Sequence, residues 1–562
     1  MRVLFLGLAI ACLVATTDAS ADAFGKLRKA YAARDAAAAA ATYAHDAVVT
    51  YRYEGVPEER HVGTAAVEKS FRALFDQVDA NAPLDLNFRT TRQSGDTVSG
   101  VYRLRIGRSA SYGRFSVILT SEGKFASDLS TAATLTDFEE ASGSVMLAAD
   151  DETLERGYYS RISGRYQLSK GCELVVTRSI VRLFVRNTCT NEWRGLTRIS
   201  GREWTAGDYV LSDRKLTTYR FAPFSDSGSP SIEVVNVAGK RIATRRVRYR
   251  TENMNFTSSD GTRLTGTVYI PVGFKERHAA SVMIHGSGSQ DRDGYASIIA
   301  VLADEMATNG RVVLAYDKRG SGGSDGDGER AGFDILAADA VAAMAALRTR
   351  PDVNPGKVGL AGSSQAGWVA ARAVERGANP ADVFLLGAAG AALTVAEQNL
   401  YNTDVRMRCA KIAADDIDLA LAQQRAYFAF LTDPTKAAEL DTLTNRGRTR
   451  LALSDWLFPD SRSTDRSASA WYVVLDPTFD PLPIWRNYRR HALFLFGEHD
   501  DATPTKQTIS RLSNTTVNAR ILTGAQHLGL RAKTVCHADL ADLSVFTPTL
   551  MPSVAIFARS TK

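Results

Sequence analysis

The sequence predicts an α/β protein: a large C-terminal part with a mostly parallel sheet, preceded by a smaller α+β domain and a small β-rich domain. Three observations predict it. From about residue 251, apolar strand-like runs alternate with helical patterns: SVMIHG before SIIAVLADEMATNG, RVVLAYD before ILAADAVAAMAALRTR, KVGLAG before WVAARAVERG. That rhythm belongs to parallel strands joined by helices that cover both faces of a sheet. Between about 150 and 250, short alternating strands are separated by Gly, Ser, Asn and Asp turns. Before them, helical stretches lead into alternating strands. A chain of 562 residues is also too long for one core.

The N-terminus reads as a targeting segment. Arg2 supplies a short positive region, Val3 to Ala15 is an apolar run, and Ala19-Ser20-Ala21 offers a small-x-small cleavage pattern. The run is too short to span a bilayer. Residues 1–21 are therefore expected to be a signal peptide, with the mature chain beginning near Asp22 and exported to the periplasm or beyond. No stable membrane insertion is expected. Cys12 leaves with the signal, so Cys172, Cys189, Cys409 and Cys536 remain, an even number in an exported chain. Cys172 and Cys189 are spaced as across a hairpin, and their pairing leaves Cys409 for Cys536. The composition is ordinary for a globular protein, with 45% hydrophobic and 23% charged residues. The formal charge of +6 is a mild excess without a Lys/Arg block, which argues against a nucleic-acid partner.

The first segment, 22–140, opens with AFGKLRKAYAARDAAAAAATYAHDAVVTYRYEG, an alanine-rich helical stretch followed by a strand, and continues with VEKSFRALFDQV. There Val67, Phe71, Leu74 and Phe75 recur at helical spacing. Alternating strands follow, with Ser94-Gly95-Asp96 marking a turn. Helix, strand, helix and then an antiparallel sheet, opened by YAARDAAAAAATYAHDAVVTYRYEG, resembles the SnoaL-like cone of the nuclear transport factor superfamily. The resemblance implies ligand binding or dimerisation, and less often catalysis. His45, Asp46 and His61 are candidate site residues there, although surface and turn positions explain them better. The second segment, 141–250, reads as a small β-barrel or sandwich and carries no chemical constellation.

In the third segment, 251–562, the run of core strands pauses between about 392 and 488. Helical patterns such as DIDLALAQQRAYFAFLTD fill that insert, which reads as a cap. In front of it stands GSSQAG. Ser364 follows a predicted strand and opens a predicted helix, with Gly362 before it and Ala366 and Gly367 after. A serine held on such a tight turn needs small neighbours and is the context of a nucleophile elbow. A serine hydroxyl also needs a base, itself oriented by a third group. Of the histidines after Ser364, His491 begins a core strand, His499 adjoins the acid candidates, and His527 lies in a loop just after the last strand, with His537 as fallback. Asp500 and Asp501 follow the strand HALFLFG and are the candidate acids. Backbone N–H groups for an oxyanion are expected at Gln365 and in the loop His285-Gly286-Ser287-Gly288, at Ser287. A dinucleotide fingerprint fails there, because Asp291 stands where a third glycine is needed.

VMIHGSGSQDRDG, LAYDKRGSGGSDGD, VGLAGSSQAGW, LFGEHDDATP and GAQHLGL occur in this order. Together they resemble the bacterial serine aminopeptidase-like α/β-hydrolases, a group with many secreted carboxylesterases. The resemblance covers 251–562. It implies an α/β-hydrolase fold with a helical cap and a catalytic Ser364, Asp500 and His527, Asp500 being favoured over Asp501 by the family's spacing. It also implies a structural turn at Asp317-Lys318-Arg319-Gly320. Ser363 and Ala366 depart from the family's usual residues without removing a catalytic group. The expected activity is hydrolysis of carboxylic esters, or of short peptides by a serine aminopeptidase or dipeptidyl-peptidase-like amidase, with no cofactor or metal. A non-catalytic binding protein on a hydrolase scaffold is the rival from another class. The cap acids Asp415, Asp416 and Asp418 read as helix-start charges. Any one of Tyr427, Phe428, Phe430, Trp456, Phe458, Trp471 and Tyr472 reads first as core of the cap, and together they suggest an apolar lid. A homodimer through the N-terminal domain completes the expectations.

Overall fold

The computed structural model describes residues 18–52, 58–76, 78, 84–94, 96–106, 109–133, 162–178, 183–200, 203–206, 217–222, 231–273, 276–328, 331–453, 456–457, 476–536 and 545–560. The apolar leader, Gly95 of the expected turn, Phe458, Trp471, Tyr472 and His537 lie outside them. Two units are present: Met1–Glu155 with Arg198–Ser200, and Arg156–Thr197 with Gly201–Lys562. No helix of the described residues is long and apolar enough to cross a membrane.

In the first unit the alanine-rich stretch forms two helices, α1 (Asp18–Ala33) and α2 (Ala36–Ala40). Asp35 separates them, its carboxylate accepting from the Ala38 N–H as an N-cap. β1 (Tyr43–Arg52) and β2 (Glu59–Val62) precede α3 (Thr64–Asp76), which buries Val67, Phe71 and Phe75 on one face. β3 (Leu84–Ser94), β4 (Thr97–Ile106), β5 (Ser109–Leu119) and β6 (Phe125–Ala132) complete a sheet ordered β2-β1-β6-β5-β4-β3. Only the β1–β6 pairing is parallel. Between helices and sheet lies a cavity of about 310 Å³, walled by aromatic rings including Phe24, Tyr31, Phe88 and Phe115. Asp128 reaches into it, accepting a 2.8 Å hydrogen bond from the Tyr43 hydroxyl and a 3.4 Å bond from Ser130. Burial pushes the Asp128 carboxyl up to about 6.

The β-rich segment is a closed barrel of β7 (Gly164–Ser169), β8 (Cys172–Arg178), β9 (Leu183–Asn187), β10 (Trp193–Ser200), β11 (Glu203–Ala206), β12 (Thr217–Phe221), β13 (Ser231–Asn236) and β14 (Gly239–Arg246). Trp204, Tyr166 and Phe221 pack inside it. Closure settles barrel against sandwich. Cys172 and Cys189 sit at disulfide distance beside the β8–β9 hairpin, Cα to Cα 5.4 Å.

The C-terminal sheet has eight strands: β15 (Tyr249–Thr257), β16 (Arg263–Pro271), β17 (His278–Ile284), β18 (Val312–Tyr316), β19 (Val353–Ser363), β20 (Asp382–Leu386), β21 (His491–Gly497) and β22 (Asn518–Leu522). Their order is β15-β16-β18-β17-β19-β20-β21-β22. The β15–β16 and β16–β18 pairings are antiparallel and the other pairings are parallel. Alternation within each strand feeds two cores: Val282 and Leu314 join one, Met283 and Val313 the other. The first is covered by α5 (Phe333–Arg348), α6 (Ala366–Glu375), α10 (Leu482–Asn487) and α11 (Thr505–Leu512), the second by α4 (Ile298–Thr308) and α12 (Leu550–Arg559). The barrel docks on α4 through a buried ionic cluster. Arg165 bonds Asp304 at 2.7 Å, Glu305 at 3.0 Å and Glu173 at 2.8 Å, while Arg186 bonds Glu305 at 2.7 Å.

Between β20 and β21 the described residues of the insert are helical: α7 (Val395–Cys409), α8 (Ala414–Thr432) and α9 (Ala437–Arg448), then α10. Asp415 and Asp416 stand in the first turn of α8, and Asp416 pairs with Arg450 at 3.0 Å. Tyr427, Phe428 and Phe430 do not form a lid surface. They pack with Leu431 and Leu440 into the insert's own core, because helical spacing turns them toward α9. Trp456 packs against a second small core with Leu419 and Leu453.

Candidate active site

The site is assembled at the C-terminal ends of the parallel strands. β19 runs out at Ser363 and α6 begins at Ala366, which leaves two residues to reverse the chain. Ser364 takes a left-handed backbone, φ 55°, and its N–H donates to the Leu386 carbonyl at 2.9 Å. A non-glycine residue there is strained and is held by its surroundings. Those surroundings require small residues. A Cβ on Gly362 would run into the Ile284 carbonyl and the Ala366 methyl, and one on Gly367 would stand 2.8 Å from Gly390. Ala366 thus fills the small position without clash, because its neighbour across the turn is glycine.

One strand further, Gly387 follows β20 with φ 61°, and any Cβ there would strike the His527 carbonyl and stand 3.1 Å from Nδ1. Glycine at 387 lets His527 settle over the end of β20, beside the residue that anchors Ser364. His527 Nδ1 lies 2.9 and 3.0 Å from the two carboxylate oxygens of Asp500. Asp500 is buried at 1% exposure, and its Oδ1 accepts from the Ala502 and Thr503 N–H groups, both at 2.8 Å. Burial works against an imidazolium at His527. The charge and hydrogen bond of Asp500 outweigh it and raise His527 above the ordinary histidine value. Asp501, the other candidate acid, turns away to Arg406 at 2.7 Å.

Of the expected oxyanion donors, Gln365 adjoins Ser364 at the start of α6, and Ser287 lies in the loop after β17. That loop touches the serine, since a Cβ on Gly286 would stand 3.6 Å from the Ser364 Cβ. Neither the Gln365 nor the Ser287 N–H donates to a protein acceptor among the described residues. The remaining histidines lie elsewhere. His285 is buried edge-on to Tyr316 and held at about 3, chiefly by desolvation. His491 stacks on Phe557, and His278 meets the Gly310 carbonyl. In the first unit, His45 and Asp46 are exposed on β1, and His61 pairs with Glu59.

The acid loop is braced by α7, which sequence reasoning missed. Gln398 donates to the Ala502 carbonyl, Tyr401 to that of Asp500 and Asn402 to that of Asp501, at 2.7–2.8 Å. Residues 398, 401 and 402 are a helical i, i+3, i+4 set of polar groups, the signal that could have been read. α7 ends at Cys409, which sits at disulfide distance from Cys536, Cα to Cα 5.1 Å. One insert helix therefore holds the acid loop and tethers the segment after His527. Asp317 stands in the turn for which the resemblance implied a structural role. Its carboxylate takes the Arg292 guanidinium at 2.9 and 2.6 Å and the Gly323 N–H at 2.8 Å.

Residues 282–535 match the family described as "Alpha/beta hydrolase family". No curated protein matches the chain. Among solved structures, the α/β hydrolase GrgF from Penicillium sp. sh18 is 19% identical, with 50% of this chain and 91% of that chain covered and a TM-score of 0.33. Est1E from Butyrivibrio proteoclasticus, with ferulic acid bound, is 15% identical, covering 54% and 96%, TM-score 0.33. An esterase from Pyrococcus furiosus is 14% identical, covering 50% and 84%, TM-score 0.32. The strand order and the family match agree: the chain carries an α/β-hydrolase domain in its C-terminal part.

Proposed function

We propose that the chain is an exported serine hydrolase that cleaves carboxylic esters. The observation that carries this reading is the positive φ of Ser364 at the β19–α6 turn, beside a His527–Asp500 pair. In this reading Ser364 attacks the acyl carbonyl and His527 takes its proton at Nε2. Asp500 holds the Nδ1–H tautomer and stabilises the imidazolium. The Gln365 and Ser287 N–H groups receive the developing oxyanion. His527 then protonates the leaving alcohol, and water releases the acyl-enzyme. The base must be neutral to act, so activity rises with pH through the raised His527 value.

An aminopeptidase must hold a free α-ammonium with carboxylates. Asp416 is already engaged by Arg450, and Asp415 sits in the first turn of α8, where charge suits the helix dipole. Esters are therefore preferred over aminoacyl amides. Both cysteine pairs at disulfide distance fit an oxidising compartment after removal of residues 1–21. Residues 22–140 serve as a SnoaL-like accessory domain for ligand binding or dimerisation, and 141–250 as the small β-rich domain. Fluorophosphonate labelling followed by peptide mapping tests the assignment: the label belongs on Ser364 and disappears in Ser364→Ala. Labelling that persists there and is lost in Ser363→Ala assigns the wrong serine. No labelling of the folded wild type favours the non-catalytic scaffold. A higher kcat/KM for aminoacyl p-nitroanilides than for short-chain p-nitrophenyl esters makes the enzyme a peptidase.

A further inference from the structure

Lys318 follows β18 in a turn that the motif resemblance treats as structural, yet its ammonium is buried at 6% exposure with no carboxylate bonded to it among the described residues. Its three N–H groups meet three neutral oxygens: the Gly286 carbonyl at 3.0 Å, the Gly288 carbonyl at 2.9 Å and the Gln365 side-chain oxygen at 2.8 Å. We propose that Lys318 is a positioning residue that sets both oxyanion donors, fixing the orientation of the Ser287 N–H and tying it to Gln365. The proposal rests on the serine-hydrolase reading above.

Peptide geometry supplies the argument. The Gly286 carbonyl and the Ser287 N–H belong to one planar trans peptide and point in opposite directions. An ammonium on the carbonyl side therefore turns the N–H to the other side, where Ser364 borders the loop. Each of the next two carbonyls is also held. Gln290 Nε2 donates to that of Ser287 at 2.7 Å, and Lys318 takes that of Gly288. The Lys318 N–H donates to the Gln290 carbonyl at 3.0 Å, so one residue holds the loop from two sides. Gly288, at φ 78°, gives the backbone reversal that lets carbonyls 286 and 288 converge on one cation. Three donors radiating from one atom are needed, which a lysine ammonium supplies and an amide or thioether does not.

The charged groups around Lys318 are committed elsewhere. Asp317 is bound to Arg292, Arg319 is bound to Asp339 and Asp260, and His285 is kept neutral by burial with the ammonium's charge adding to it. Desolvation lowers the ammonium to about 8. Loss of its proton removes one of three donated bonds, which places an alkaline fall in kcat near that pH.

The test uses full-length protein, p-nitrophenyl butyrate and a fluorophosphonate. Lys318→Met is expected to lower kcat about 10²-fold, the scale of losing one oxyanion donor. KM should change less than about three-fold, with the alkaline fall gone and the melting temperature kept. Lys318→Arg keeps a charge that cannot titrate away, so it recovers part of kcat and also lacks the fall. Gln365→Ala keeps its N–H but removes an acceptor that favours the charged amine, so the fall moves to lower pH. Wild-type kcat in Lys318→Met, or an alkaline fall that stays in place in Lys318→Arg or Gln365→Ala, overturns the role. If Lys318→Met does not fold, the Gln365→Ala shift decides. Absence of Ser364 labelling in the wild type instead overturns the underlying reading.

Discussion

Asp500 and Asp128 are both carboxyl groups withdrawn from bulk water, and the chain surrounds them differently. Asp500 receives two backbone N–H donors and an imidazole. Asp128 receives two hydroxyls and a wall of aromatic rings. Backbone donors cannot be withdrawn without breaking the loop, and here α7 holds that loop in turn. Hydroxyls rotate and can equally accept, so they give a buried charge weak support. The first arrangement holds the carboxylate oxygens facing the imidazole at a fixed distance. The second leaves a carboxyl that holds its proton to higher pH than usual, pushed up to about 6 by burial. What separates the two carboxyls is who donates to them as well as how deeply they lie.

The strongest way to break this comparison is Asp500→Asn. The Ala502 and Thr503 N–H groups point at Oδ1, so the amide oxygen of an asparagine takes that place and its NH2 faces His527. Nδ1 must then accept, which puts the proton on Nε2, where it cannot take one from Ser364. A loss in kcat of about 10³–10⁴-fold is expected for p-nitrophenyl butyrate, without a fall in melting temperature. A loss below ten-fold would remove Asp500 from the mechanism.

Which parts of this were legible beforehand follows from where each signal lies along the chain. The core strands β17 to β22 were readable because each is an apolar run beside a helical pattern. β15 and β16 were not, since β15 is mostly polar and lacks the apolar run that marks the others, and Gly266 weakens the apolar face of its strand. Asp260-Gly261 was the hint of their turn. Ser364 and His527 sit in short motifs and were proposed from residue type and order, while the choice of Asp500 over Asp501 came from the family resemblance. The α7 brace and Lys318 were not proposed, because their meaning lies in which distant carbonyls they meet. The insert aromatics Tyr427, Phe428 and Phe430 were left between cap core and lid for a related reason: spacing shows that a helix has an apolar face and does not show what covers it. The Arg165 cluster on Asp304 was illegible in the same way, with partners 139 residues apart.

Asp128→Asn sharpens the comparison from the other side. A carboxyl whose value is raised in the folded state gives stability that is present at low pH, where it is protonated in both states. That stability is lost as pH rises from its unfolded value through about 6. The first unit should therefore weaken between pH 4 and pH 7. Asparagine still accepts from Tyr43 and carries no charge, so the variant should be more stable than wild type above pH 7 by on the order of 1–3 kcal/mol. Its stability should be flat in pH over the same window. Calorimetric unfolding at pH 4.5 and 7.5 measures both. A variant less stable than wild type at pH 7.5 would mean that the carboxylate is supported after all.

The smallest expected effect tests whether charge near Asp500 is tuned as well as placed. Asp501 raises His527 and Arg406 lowers it, and the two are paired at 2.7 Å. Arg406→Ala removes a cation and releases an anion together, so both changes favour the imidazolium. The acid limb of kcat/KM should move to higher pH by a few tenths of a unit. The shift stays small because Arg406 is about half exposed, with its side chain at 53%, and water screens it. The plateau above the limb should keep its height, since Gln398, Tyr401 and Asn402 still brace the loop. A limb that moves to lower pH would reverse the sign of this argument. A fall in the plateau with the limb unmoved would show that Arg406 acts by holding the loop rather than through its charge.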